Sequence, residues 1–319
     1  MLRCSYSPRA CFPAFKIESM TLLPRHPPLL SRRTAVSGLI AVAALLPAVP
    51  ALAKPYILHP EAYPDPPLVP LVVPTWRRNA VQVAFADERP KIAVVVDDMG
   101  VMHPNTERVV ALPGPLTLSW FPFAPELPEQ VAAAAACGHE ATLHMPMQSF
   151  SNSTAQTGPD PLRIDLPPTI NIARLRAALD AVPDTVGLNN HMGAVATRDA
   201  ALMDIVAAEI RTRGMLFLDS VTIPHSVALA RAEIAGVPAA ARDVFIDHNA
   251  EASVIRGQLA DIEATARRLG YAIAIGHPRP HTLEALEWWL PTLAAKGFVL
   301  WPISATVALR NRIDLTVTV

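Results

Sequence analysis

From Lys91 onward, short apolar runs alternate with stretches whose apolar positions recur every three or four residues. The runs at 92–96, 116–120, 141–143, 185–188, 215–218, 244–246, 272–275 and 298–301 predict strands. Between them, Ile255, Leu259, Ile262, Ala266 and Leu269 follow helical spacing up to Gly270, a C-cap candidate. Leu283, Leu286, Leu290 and Leu293 do the same, with Pro291 set to kink that helix. Gly214, Gly270 and Gly297 each stand between a helical pattern and an apolar run. Strand-then-helix alternation implies a mostly parallel sheet, either a barrel or a doubly wound layer. Both architectures gather chemistry at the carboxyl ends of the strands.

Upstream the pattern changes. Residues 54–90 hold Pro55, Pro60, Pro64, Pro66, Pro67, Pro70, Pro74 and Pro90, a density that excludes helix and predicts an extended linker or strap. Residues 1–53 carry six of the chain's 27 Lys and Arg but only one of its 28 acids, Glu18, which leaves the rest at a net charge of −6. A mildly acidic body excludes a nucleic-acid partner, whose backbone needs a basic footprint. The basic start leads through an apolar stretch to Ala51-Leu52-Ala53, the pattern of a signal peptide. Arg32-Arg33 suggests the twin-arginine route, although Ala35 and Val36 leave the general secretory route open; Met20 is an alternative start. Pro47, Pro50 and the A-x-A end favour cleavage over a permanent anchor. The expectation is export to a bacterial periplasm, with membrane attachment only through an uncleaved signal. The organisation read here is a signal peptide (1–53), a Pro-rich linker or strap (54–90) and a single domain (91–319). Cys4 and Cys11 fall in the removable part, so no disulfide framework is expected. Cys137, ending an alanine-rich helix, reads as a small buried residue rather than a nucleophile.

Just past the apolar runs stand Asp97-Asp98, then Phe121 in "FPFAPE", His144, Asn189-Asn190-His191, Asp219, Asp247-His248, His277 and Ser304. If the alternation holds, these side chains converge on one mouth. One polar strand end is routine; nearly all of them together is not. Asp and His form an N/O donor set suited to Zn²⁺ or a similar divalent ion, and Asp98, His144 and His191 are the candidate ligands. A second carboxylate nearby can accept a proton from water while a histidine opposite protonates a leaving group. Each residue also has a plainer reading. An isolated buried histidine is commonly a hydrogen-bonded core group, Asp219 can cap a loop, and Asp247-His248-Asn249 can form a turn. His277 in "IGHP" can serve the backbone bend alone.

The segments "VVVDDMG", "GHEATLHMPMQ", "GLNNHMGAVATRD", "LFLDSVT", "DVFIDHN" and "AIAIGHPRPHT" resemble, in order, those of the divergent polysaccharide deacetylases. These are exported relatives of carbohydrate esterase family 4, the NodB-like deacetylases. The resemblance spans about Lys91 to Val307. It implies a distorted (β/α)7-type barrel of the glycoside hydrolase/deacetylase superfamily. By resemblance, Asp97 is the base, Asp98 a metal ligand, His144 the first metal histidine and His277 the proton donor, while Asp219 orients or tunes a catalytic group. The larger family places a second metal histidine four residues after the first; here that position is Gln148, and His191 is the candidate replacement.

The expected activity is removal of N- or O-linked acetyl groups from an envelope or extracellular polysaccharide by an exported, metal-dependent hydrolase. Phe121, Phe123 and Trp120 are candidate stacking surfaces for sugars. The alternative is a degenerate glycan-binding or envelope scaffold that keeps the barrel without turnover, a reading that Gln148 favours and the retained Asp97-Asp98 pair opposes.

Overall fold

Residues 73–314, apart from residues 102 and 152, are described by a computed structural model. They belong to one unit, Leu68–Val319. Residues 1–53, with the signal peptide read there, and residues 54–72 of the linker lie outside the described residues.

The apolar runs form strands β1 (Lys91–Met99), β2 (Thr117–Trp120), β3 (Glu140–Met147), β4 (Gly187–Met192), β5 (Leu216–Asp219), β6 (Ala239–Ala241), β7 (Val244–Phe245), β8 (Tyr271–Gly276) and β9 (Val299–Leu300). Among the described residues the helices are α1 (Thr75–Arg78), α2 (His103–Val110), α3 (Leu127–Ala136), α4 (Thr154–Thr157), α5 (Pro168–Ala181), α6 (Ala200–Thr212), α7 (Ala228–Ile234), α8 (Ala252–Leu269), α9 (Pro280–Trp289) and α10 (Ile303–Arg310). None of them is long and apolar enough to cross a membrane.

Every strand pair is parallel, in the order β6-β5-β4-β3-β2-β1-β8-β7, with β9 beside the first residues of β1. The two end strands are neighbours in the chain, separated only by Arg242 and Asp243. β6 pairs with β5 and β7 with β8, so one extended segment serves both edges and curls the sheet into a barrel. Arg242 N–H donates to Asp219 O at 3.0 Å and Asp243 N–H to Ile273 O at 2.8 Å, which marks the change of partner. No strand was expected at Ala239–Ala241, since alanine has weak strand preference.

Strand alternation sorts the side chains. Ile92, Val94 and Val96 of β1 pack outward with the helices, as do Leu118 and Trp120, Leu143 and Met145, Phe217, and Ala272 and Ala274. Ala93, Val95, Leu216, Leu218, Ile273 and Ile275 face inward, where Trp76 and Ile303, Val307 and Ala308 of α10 complete a second cluster. The helix α8 buries Ile255, Leu259, Ile262 and Ala266 and ends at Gly270 with φ +83°, as expected; Leu269, at its last turn, is exposed.

Three expectations change. A single helical turn, α1, breaks the supposed helix-free region 54–90: Pro74 precedes it and no further proline occurs until Pro90. Its Trp76 is buried, with its N–H donating to Gly214 O at 2.9 Å. Cys137 is exposed, because α3 ends at Ala136 and its buried side is Leu127, Val131 and Ala134. Ser304 does not join the strand-end mouth. β9 pairs only with Lys91 and Ile92, at the start of β1, so the segment after β9 lies at the opposite end of the barrel.

There Ser304 N–H donates to Glu140 Oε1 at 3.0 Å and its hydroxyl to Glu140 Oε2, while Thr117 Oγ1 donates at 3.4 Å. Burial outweighs these donors and pushes the Glu140 carboxyl from 4.5 up to about 7. A folded-state pKa above the unfolded one means that the native state holds the proton longer. Its contribution is therefore complete below pH 4.5 and is lost as pH rises to about 7, by about 3 kcal/mol. Urea unfolding at pH 4.5 and 8 should show the stability difference between wild type and Glu140→Gln moving by about that amount in favour of the variant at high pH; an unchanged difference refutes the burial argument.

Candidate metal and catalytic site

Two adjacent strand residues normally face opposite ways. Inward parity through Ala93 and Val95 sends Asp97 into the barrel mouth, which would turn Asp98 outward. The β1–β2 register shifts between Val96 and Met99, and Asp98 adopts φ +58°. This bulge swings the second carboxylate back to the mouth as well.

The same inward parity delivers the other groups. His144 follows Thr142 on β3, and Asn189 and His191 lie two apart on β4, where His144 pairs in register with Asn189. Ser220 follows Leu218, Asp247 follows Phe245, and His277 follows Ile275. After His191 the chain turns away through Met192 at φ +54° and Gly193 at φ +91°. A side chain on Gly193 would lie 2.9 Å from Thr197 Cγ2, so glycine is required there.

Asp98 Oδ1 lies 3.2 Å from His144 Nε2 and 3.2 Å from His191 Nδ1, and the two ring nitrogens are 3.1 Å apart. Their far nitrogens are engaged. His144 Nδ1 is 2.9 Å from Asn189 Oδ1 and His191 Nε2 is 2.9 Å from the Gln156 carbonyl. Asn189 donates through Nδ2 to Asp97 Oδ1 at 2.8 Å and to Ser220 Oγ at 3.1 Å, which orients its oxygen to accept from His144; Ser119 Oγ also donates to that oxygen. Each far nitrogen therefore carries the proton, and the near nitrogens present lone pairs to one another and to a carboxylate oxygen left without a hydrogen bond. Three lone-pair donors facing one point repel unless a cation sits among them. The edges match a tetrahedral site: with bonds of about 2.0–2.1 Å, ligand atoms stand about 3.3 Å apart. The residues fit a divalent metal ion.

Electrostatics divides the roles further. Burial opposes ionisation of Asp98, but in the metal-free site protons on the near nitrogens of His144 and His191 outweigh it and hold its carboxyl well below the usual range; a bound cation would take the place of those protons. Burial dominates at Asp97 and raises its pKa, despite His144, His277 and Asn189. Burial also works against a charged His277, yet the Asp247 carboxylate overcomes it and raises the ring's pKa. Asp247 grips His277 twice, accepting from its backbone N–H at 2.9 Å and facing Nδ1 at 2.8 Å, while Thr282 Oγ1 donates to Asp247 at 2.8 Å. His277 Nε2 is left aimed inward, 3.9 Å from Asp98 Oδ2.

The sequence-predicted Asp97, Asp98, His144, His191 and His277 all line one cavity of about 450 Å³. Asp219 does not. It shares the outward parity of Phe217, and its carboxylate accepts from Val221 N–H at 2.9 Å and Ser226 Oγ at 2.7 Å within its own loop. Gln148 is also turned away, its Oε1 accepting from Ile164 N–H at 2.9 Å. Of the candidate sugar surfaces, Trp120 is 0% exposed and Phe121 is packed against both histidines at 5.1 and 4.8 Å; Phe123, stacked on Phe121, is 39% exposed. Sequence reasoning set Asn189 and Asp247 at the strand-end mouth without giving either a role, and passed over Arg242, which sits in the unpredicted junction of β6 and β7.

Fold and site together define a parallel (β/α) barrel with an Asp–His centre at its strand ends. Residues 94–307 match the family described as divergent polysaccharide deacetylase, and the chain belongs to that family. An uncharacterized protein of Haemophilus influenzae is 33% identical over 215 residues, covering 67% of this chain and 76% of that protein. The uncharacterized protein YibQ of Escherichia coli is 34% identical over 218 residues, covering 66% and 68%. The crystal structure of the uncharacterized protein ATU2773 from Agrobacterium tumefaciens superimposes with a TM-score of 0.71 at 25% identity, over 73% of this chain and 95% of that one.

Purified protein should retain about one equivalent of a divalent metal after dialysis, as read by atomic emission. Asp98→Ala and His191→Ala should each lose it, whereas Gln148→Ala should keep it. Retention by both of the first two variants rules the site out.

Proposed function

We propose that the protein is an exported metal-dependent hydrolase that removes acetyl groups from a polysaccharide. The observation that carries this reading is the convergence of Asp98, His144 and His191 on one point, with Asp97 and His277 flanking it. Export is supported by the basic start, apolar stretch and A-x-A end of residues 1–53; N-terminal sequencing of the exported form should begin at Lys54.

Asp98, His144 and His191 would hold a divalent ion, zinc by the donor set, which supplies Lewis acidity toward a carbonyl and makes nearby water more acidic. Asp97, held through Oδ1 by Asn189, keeps Oδ2 on the mouth side, 3.8 Å from His144 Nε2. Its raised pKa gives it the proton affinity of a general base, and it takes the proton of the attacking water. His277, fixed in tautomer and direction by Asp247, delivers its Nε2 proton to the departing amine or alkoxide. Phe121 packs against both histidine rings, tilted to His144 and edge-on to His191, and limits water there.

Zinc-loaded protein should release acetate from acetylated chito-oligosaccharides or O-acetylated polymers in an acetate assay. Asp97→Asn and His277→Asn should each lower kcat by about 10²–10⁴. Failure to release acetate from every glycan tried would favour the scaffold reading.

A further inference from the structure

The site described so far leaves two pocket-lining cations unexplained. Arg242, at the β6–β7 junction, donates from Nε to Ser220 O and from Nη2 to Val221 O, each at 2.8 Å, and lies over the Phe245 ring at 4.6 Å. Arg279, which precedes α9, donates from Nη1 to Asp247 O at 2.9 Å. Both line the cavity beside His277. Among the described residues neither forms an ion pair, whereas Arg89, Arg108, Arg213 and Arg231 each hold a carboxylate. The anchors of Arg242 and Arg279 are neutral carbonyls, so their charge remains available to the cavity.

Holding Arg242 this way is unfavourable in two respects. Its guanidinium is partly desolvated without a carboxylate in contact, and Asp97, Asp219 and Asp243 act on it only at longer range. One of its anchors, Val221, is a β-branched residue at φ +47°. A β-branched residue in that region is strained, and such strain clusters at ligand clamps. The strained turn presents the Val221 carbonyl to Nη2, and among the described residues Nη1 has no hydrogen-bond partner. With a divalent ion among Asp98, His144 and His191, the two arginines and the ion outweigh Asp97 and Asp98, so the cavity is net positive inside an acidic body.

We propose that Arg242 and Arg279 bind a carboxylate on the sugar chain, so that the substrate is an acetylated glycan built from acidic sugars rather than a neutral one. This rests on the deacetylase reading for the chemistry at the acetyl group, but the anion site is tested without it. Arginine forks suit carboxylates through paired charge-assisted N–H donors.

The test is calorimetric binding of trigalacturonic acid and of its trimethyl ester to zinc-loaded protein. Neither compound carries an acetyl group, so turnover plays no part. The acid should bind about tenfold or more tightly than the ester, with the gap shrinking as salt rises. Arg279→Gln and Arg242→Lys should each reduce that gap severalfold, with unchanged melting temperatures confirming the fold; Arg279 is the safer variant because it is exposed. Equal binding of acid and ester overturns the proposal. So does a preference that survives Arg279→Gln and Arg242→Lys, since the metal alone would then explain it. Acetate release from chito-oligosaccharides alongside equal binding would sink the anion site while leaving the deacetylase reading intact. Acid-selective binding without acetate release from any glycan would do the reverse.

Discussion

Everything in the mouth depends on bringing two neighbouring carboxylates to one side of a strand. Alternation forbids it, and repulsion between like charges opposes it. The bulge after Val96 and the left-handed backbone at Asp98 remove the first obstacle. The second is removed by giving the two groups different surroundings. Asp98 is the more exposed and faces two imidazoles, whereas Asp97 is buried against Asn189. One is driven toward the charged form and the other toward holding a proton, which is how a pair of like residues comes to hold distinct roles.

Asn189 couples these halves. Its oxygen fixes the tautomer of His144 and its amide holds Asp97, so the proposed ligand and the proposed base share one rigid support. Parity on β4 then places His191 two residues further along the same face, on the strand beside β3. This explains how a chain with Gln148 at the position where the larger family has its second histidine still assembles two imidazoles and a carboxylate. β3 ends at Met147, and Gln148 is drawn into the following loop by Leu162 and Ile164. The second imidazole comes from the neighbouring strand instead, at a point the β3–β4 register brings level with Pro146.

Much of this was legible in the chain because the strands are continuous apolar runs and parallel sheets collect their chemistry at one end. The five site residues that converge are those with inward parity, plus Asp98 through its bulge. Asp219 was selected for being ionisable at a strand end, but Ser220 is the residue whose parity faces the mouth. Ser304 was misplaced because an apolar run does not reveal its level in the barrel; β9 is two residues long and pairs beside the start of β1. The Ala239–Ala241 strand carries no β-branched or aromatic signal, so the closure of the barrel, and Arg242 with it, escaped notice.

That closure has a consequence for the electrostatics of the mouth. A single extended segment serving both sheet edges leaves its midpoint, Arg242-Asp243, without a regular partner on one side. Arg242 fills the gap by reaching back to the loop after β5, whose strained Val221 offers a carbonyl in return. A non-glycine residue in the left-handed region costs of order 1–3 kcal/mol and persists only where neighbours hold it. Here the neighbours are the Arg242 guanidinium and the Asp219 carboxylate, which accepts the Val221 N–H. Asp219 thus supports the mouth indirectly: it secures the turn that secures the arginine, and the arginine brings positive charge to the cavity that Asp97 also lines.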